Sequence, residues 1–233
     1  MGNKSFKKWF YEEPKIHQAH KWYHTFDIYE RHFEKYVGTN PVILEIGVEF
    51  GGGIEMLNYY FDNQCTIYGI DFNPVWEKYN DHWDNVKMFI GDTSTNKIYE
   101  KVTSEVPVFD IVIDDGSHIN DHQIRAFEHF YPRISDGGVY LCEDVCTSYW
   151  SEYGGMNGNT FIEHSKKLID KLNSYHHREP SATEDDINFR KTTNSIHYYD
   201  NFVFIEKMFD DEEPQFGLSP LKYEADGITV IMP

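Results

Sequence analysis

The apolar positions change their period along the chain, and the elements follow from that change. Between residues 15 and 37 they fall at Trp22, Phe26, Tyr29, Phe33 and Tyr36, steps of three and four that share one helical face. Gly38 and Pro41 end that helix. Short apolar runs of strand character then take over, at Val42–Ile46, Thr66–Asp71, Val86–Ile90, Phe109–Asp114 and Val139–Cys142. Helical segments separate them, up to Phe61 and again over Asp121–Tyr131, where Ile124, Phe127 and Tyr131 recur at helical spacing. Buried strands alternating with helices predict βαβ units and a mostly parallel sheet. Residues 160–173 read as a further helix, and Tyr175–Thr193 as a polar loop. Ser195–Tyr199 and Phe202–Glu206, split by Asp200-Asn201, predict an antiparallel hairpin.

The expected fold class is therefore α/β: a Rossmann-like doubly wound sheet, mostly parallel, with a C-terminal antiparallel hairpin. Residues 1–40 are expected to form a helical cap and 41–207 the ligand-binding domain. The remainder, 208–233, is expected as a tail packed on that domain.

Composition narrows the partners. The 233 residues carry a formal net charge of −18, which repels phosphate backbones and argues against a nucleic-acid partner. No apolar run approaches a membrane span, and the start of the chain has no leader pattern. Cys65, Cys142 and Cys146 are odd in number and widely spaced, which fits a reducing, cytoplasmic setting better than a disulfide framework.

The first strand runs into Leu44-Glu45-Ile46-Gly47-Val48-Glu49-Phe50-Gly51-Gly52-Gly53. Glycines there let the backbone turn tightly and approach a ligand beyond the carboxyl ends of the strands. Glu49 stands where a dinucleotide fingerprint has its second glycine. Glu45 and Glu49 disfavour a pyrophosphate and favour a ligand with a cationic amino group, such as S-adenosylmethionine (SAM). Asp71 ends the second strand, where a carboxylate can accept from ribose hydroxyls, and Asp92 follows the third, within reach of an adenine amino group. The alternative for Asp92 is a turn-capping carboxylate.

Two acidic clusters end the fourth and fifth strands: Ile113-Asp114-Asp115-Gly116-Ser117-His118 and Leu141-Cys142-Glu143-Asp144. Carboxylates converging at one sheet edge repel one another unless a cation neutralises them, and a hard divalent ion takes oxygen ligands. Asp115, Glu143 and Asp144 are the candidate ligands of Mg²⁺ or a similar ion, while Asp114 holds the loop. His118 is the candidate general base; its alternative is a helix cap or a loop hydrogen bond. Tyr149, Trp150 and Tyr153 could stack on an acceptor ring or be packing aromatics.

These residues resemble the class I SAM-dependent methyltransferases that modify sugar hydroxyls, the macrolide- and rhamnosyl-O-methyltransferases and relatives labelled cephalosporin hydroxylase. The similarity runs from Trp22 to about Asp170, and more loosely to Lys207. It is carried by His24–Phe33, Leu44–Gly52, Tyr68–Asp71, Gly91-Asp92, Ile113–His118, Glu143-Asp144, Thr147–Trp150 and Tyr153-Gly154-Gly155. The resemblance implies Mg²⁺ on Asp115, Glu143 and Asp144, His118 as base, SAM near Glu45, Gly47, Asp71 and Asp92, and a homo-oligomer. Gly51 and Asp114 complete the candidate cofactor contacts. Cys146 stands where many relatives have His, Thr93 where Gln is usual, and Gly53 where Ser is common. The implied reaction is O-methylation of a sugar, glycoside or related natural product. Methylation of a catechol-type diol and non-catalytic SAM binding are the alternatives. An iron oxygenase would need two His and a carboxylate, a pattern not evident here.

Overall fold

Seven strands lie in the order β3-β2-β1-β4-β5-β7-β6. They are β1 (Val42–Ile46), β2 (Thr66–Asp71), β3 (Val86–Ile90), β4 (Phe109–Asp114), β5 (Ile134–Cys142), β6 (Thr193–Tyr199) and β7 (Phe202–Lys207). The first five are parallel, and β7 enters antiparallel beside β5. The computed structural model describes residues 4–178, 181–215 and 217, and the backbone of 221–225 and 228–232. The last two segments pair as a separate antiparallel hairpin, β8 (Leu221–Ala225) and β9 (Ile228–Met232). The expected packing of the tail falls partly outside the described residues.

Alternation along the strands sorts side chains onto two helical layers. Ile43, Ile67, Ile111, Ile113, Leu141 and Phe204 meet one layer. It contains α1 (Phe6–Glu12), α2 (Thr25–Phe33) and α3 (Gly52–Tyr60). Leu44, Ile70, Val112, Tyr140 and Ile205 meet the other. It contains α4 (Asn96–Glu105), α5 (Asn120–Phe130) and α6 (Phe161–Leu172). Phe6, Trp9, Phe26, Tyr29 and Phe33 are buried in the same cluster as β1, β4 and β5. The helices before residue 40 therefore share the core of the sheet they cover.

Three expectations need correction. The helix expected over 15–37 is confined to α2 and one 3₁₀ turn, Glu34–Tyr36. Residues 13–24 form no helix: Pro14 has no backbone donor, and two further donors are spent on a tertiary partner. Ile16 and His17 donate to the Glu55 carboxylate at 3.2 and 2.8 Å. The polar stretch 175–193 contains a helix, α7 (Glu184–Thr192), started by a capping box between Thr183 and Asp186. And β5 begins at Ile134, so Asp136-Gly137-Gly138 lies inside the strand as a register irregularity. The β6–β7 hairpin turns where expected, with Asn201 at φ 71°.

Candidate active site

The strand order reverses between β1 and β4, and the crevice beyond their carboxyl ends is where open α/β sheets bind ligands. A cavity of about 450 Å³ opens there, lined among others by Gly47, Glu49, Asp71, Thr93, Asp115, His118 and Asp144. Gly47 sits at φ 88°, and a Cβ on it would stand 2.1 Å from the Asp115 carbonyl oxygen. Only glycine lets the first turn nest against the β4 loop. The Asp71 carboxylate accepts from Val48 N at 3.2 Å, Glu49 N at 3.0 Å and Asn73 N at 2.9 Å. It thus shapes the turn and lines the cavity together.

Other expected cofactor contacts divide. Gly51, at φ 80°, faces the Tyr79 ring instead of the cavity. Asp92 is exposed and spends its carboxylate on Ser94 N and Oγ at 2.8 and 2.7 Å. It is the turn-capping alternative, and Thr93 lines the cavity in its place. Asp114 is buried and accepts from the Tyr140 hydroxyl at 3.0 Å, holding the loop and lying outside the cavity lining. Burial pushes its carboxyl up to about 7. Glu45 lies beneath the turn, 2% exposed, with Oε2 unpartnered. Burial raises its carboxyl to about 8.

The acidic clusters converge because the ladder continues past the strand ends. Asp115 N donates to Ile46 O, and Glu143 N to Asp114 O, both at 2.9 Å. Strand parity then carries Asp115 and Glu143 to the α1–α3 layer with Ile113 and Leu141. Asp114 goes to the opposite layer, with Tyr140. One ligand atom from each of Asp115, His118 and Asp144 lies within 4.8 Å of the others. Glu143 instead accepts from Lys21 Nζ at 2.8 Å and from the Tyr29 hydroxyl. Lys21 Nζ also reaches Asp115 Oδ2 at 2.7 Å. Asp144 Oδ1 accepts from Trp22 Nε1 at 2.8 Å and Asn201 Nδ2 at 2.5 Å.

Lys21, Trp22, Tyr29 and Asn201 are the residues sequence reasoning missed in these roles. Residue 21 lay inside a segment read as helix, and no spacing marks it. Burial works against the Lys21 charge, but Asp115 and Glu143 outweigh it and hold the ammonium well above its ordinary range. Burial, then the Asp115 charge, pushes Glu143 up to about 7 against the pull of Lys21. Two carboxylates gathered on one buried cation, with Asp144 beside Asp115, form a site that demands positive charge, so the donor set fits a divalent ion.

His118 and Asp144 both have left-handed backbones, at φ 58° and 52°. Such strain in non-glycine residues persists only where the surroundings enforce it. Here one hydroxyl sits between the two: Thr147 Oγ1 lies 2.8 Å from His118 O and 2.9 Å from Asp144 O and shares its single proton between them. The imidazole Nε2 stands 3.6 Å from Asp144 Oδ2, and Nδ1 is buried without a partner. Tyr149 and Trp150 are exposed, and with Tyr153 they line neither this cavity nor its neighbour. Asn120 pins their loop, donating to Thr147 O and Tyr153 O and accepting from Ser148 Oγ. Phe10, Trp22 and Tyr23 line, with Asp115, Glu143 and Asp144, a neighbouring cavity of about 640 Å³.

No protein-family profile matches the chain. Curated relatives do. Demethylmacrocin O-methyltransferase of Streptomyces fradiae is 31% identical over 208 residues, 84% of this chain and 52% of that protein. Mycinamicin VI 2''-O-methyltransferase of Micromonospora griseorubida is 32% identical over 200 residues, 79% of this chain and 48% of that protein. The MycE methyltransferase of the mycinamycin pathway, solved with Mg and SAH, superposes with a TM-score of 0.75 at 30% identity. The match covers 90% of this chain and 55% of MycE.

The chain is similar in sequence and fold to these class I SAM-dependent O-methyltransferases that modify sugars. It spans about half the length of the curated methyltransferases it matches. Its sheet, mixed only at the C-terminal hairpin, is the Rossmann-like topology of this methyltransferase class. Among the described residues no helix is long and apolar enough to cross a membrane.

Proposed function

We propose that this chain transfers the methyl group of SAM to a hydroxyl of a sugar or glycoside, with Mg²⁺ or a similar divalent cation at the acidic clusters. The observation that carries the reading is the convergence of Asp115, His118 and Asp144 on the cavity closed by the Gly47 turn. MycE, which shares the fold at 30% identity, was solved with Mg and SAH, and also with Mg, SAH and mycinamycin VI.

When bound, SAM supplies an electrophilic methyl group on a sulfonium, and the metal ion supplies Lewis acidity at the acceptor oxygens. Asp71 would accept from the ribose hydroxyls, and Glu45 would offer its partnerless oxygen as an acceptor for the amino group. Asp115 and Asp144, with Glu143, hold the cation. His118 takes the acceptor proton as the new C–O bond forms and the S–CH₃ bond breaks, leaving a methyl ether and the demethylated cofactor. Positioning carries much of the rate in such a displacement, which is why the strained His118–Asp144 pair is tied by Thr147. Phe10, Trp22 and Tyr23 provide the apolar wall a sugar face needs. Homo-oligomeric assembly and a cytoplasmic location complete the proposal.

Calorimetry with SAM and Mg²⁺ on wild type and Asp115→Ala, followed by methyl transfer to a panel of glycosides and catechols, tests it. SAM binding, metal binding lost in the variant, and methylation of glycosides are expected. Absence of SAM binding by the wild type overturns the reading, and transfer to catechols alone replaces the substrate class.

A further inference from the structure

Residues 13–24 cross the site without helical structure, and every carboxylate the metal reading needs is engaged by this segment or its neighbours. Lys21 occupies the centre. Its side chain is 4% exposed, and its Nζ lies 2.7 Å from Asp115 Oδ2 and 2.8 Å from Glu143 Oε1. The next residue, Trp22, donates its indole N–H to Asp144. Upstream, the backbone of Gln18 and Ala19 packs so closely on α3 that a Cβ at Gly52 would stand 2.3 Å from Gln18 O.

We propose that Lys21 is the resident counter-cation of this site, and that its ammonium and the divalent ion hold Asp115 and Glu143 in alternation. The segment around Lys21 is then a strap that the metal releases.

The argument is geometric. A Mg²⁺ ion takes oxygens at about 2.0–2.1 Å in a near-octahedral shell. An ion touching both Asp115 Oδ2 and Glu143 Oε1 needs the volume that Nζ fills between them. Two cations cannot share it, because both would sit at contact distance from the same two oxygens and repel each other. Lys21 has somewhere to go: it sits on a long flexible stem in a segment without helical constraint. Glu143 keeps the Tyr29 hydroxyl when the ammonium leaves.

The arrangement also explains how the clusters stay assembled without metal. Asp115, Glu143 and Asp144 would repel one another, and Lys21 bridges two of them while Trp22 and Asn201 hold the third. Linkage is reciprocal: whatever Lys21 contributes to holding the carboxylates in the metal-free protein is subtracted from the affinity for the ion. An ion pair with no such role would remain in place when metal binds, so the two cases differ in what they predict.

This inference rests on the proposed metal-dependent reading, and the experiments separate the two. Titration of Mg²⁺ by calorimetry, and of Mn²⁺ by electron paramagnetic resonance, compares wild type with Lys21→Met, which keeps the stem and removes the charge. The variant is expected to bind at least about tenfold more tightly, and its melting temperature to rise more on adding Mg²⁺. Equal or weaker binding by the variant overturns the inference and leaves the metal reading standing. Binding by the variant alone supports it, and binding by neither removes both. Amine acylation of the wild type, read by peptide mass spectrometry, gives an answer even where the variant fails to fold. Lys21 should be protected without metal and labelled at saturating Mg²⁺. Protection that persists once calorimetry shows the ion bound overturns the strap.

Discussion

Replacing Glu45 with Gln separates folding from binding at one buried carboxylate. Glu45 is 2% exposed, its Oε2 has no partner, and its carboxyl is raised to about 8 against an ordinary 4.5. Burial is the largest cause; Lys21 opposes it, and Asp115, Glu143 and Asp71 reinforce it. A carboxyl whose pKa is higher folded than unfolded binds more protons in the native state. Its contribution to stability therefore falls as pH rises from about 4.5, and levels off above about 8. The full cost of the ionised form has a ceiling of about 5 kcal/mol, at about 1.4 kcal/mol per pKa unit. Relaxation and water entry bring the expected value to about 2–4 kcal/mol. Urea denaturation of the SAM-free protein checks this at two pH values. At pH 5 wild type and Glu45→Gln should agree within about 1 kcal/mol. At pH 8.5 the variant should be the more stable by about 2–4 kcal/mol, while its affinity for SAM, measured by calorimetry, falls at least tenfold. A gain of the same size at both pH values would refute the reasoning, because the effect would then come from packing and not from charge. No gain at pH 8.5 would refute it as well.

Three further outcomes are expected. Gly47→Ala places a Cβ 2.1 Å from the Asp115 carbonyl oxygen at φ 88°. Beyond the ~1–2 kcal/mol of left-handed backbone strain, it should displace Asp115, lowering the melting temperature and weakening Mg²⁺ binding together. Thr147→Val removes the hydroxyl shared by His118 and Asp144; methyl transfer should fall about 10–100-fold through misplacement, with SAM affinity retained in calorimetry. Glu206 is held down to about 2, first by its hydrogen bond from His32, so its stabilisation is present above about 4.5 and lost as pH falls towards 2. In His32→Leu the acid-unfolding curve between those values should flatten.

The strand positions were open to reading because buried parallel strands leave short apolar runs between glycine and aspartate turns, and all of β1 to β4 fell where those runs lie. Asp200-Asn201 marked the closing hairpin for the same local reason: Asn tolerates the left-handed turn found at Asn201. Two helices had signals that went unread. Ser5 accepts from Lys8 N at the start of α1, and Thr183 with Asp186 boxes the start of α7. Residues 13–24 could not be read locally. Their apolar spacing continues that of α2, but the Glu55 carboxylate takes the backbone donors of Ile16 and His17 from 39 and 38 positions away in sequence.

The amino-acid order by itself determined the fold class, the glycine turn, and which carboxylates stand at the strand ends. Strand parity even divided Asp114 from Asp115, since neighbours on a strand face opposite layers. The tertiary structure alone decided what fills the space among those carboxylates. Lys21 meets Asp115 across 94 positions and Glu143 across 122, and Trp22 meets Asp144 across 122. Tyr29 and Asn201 reach the same cluster from α2 and the hairpin turn. No periodicity encodes such pairs, because they depend on where the sheet order brings separate ends together, and charge that must be neutralised there selects the side chain that arrives.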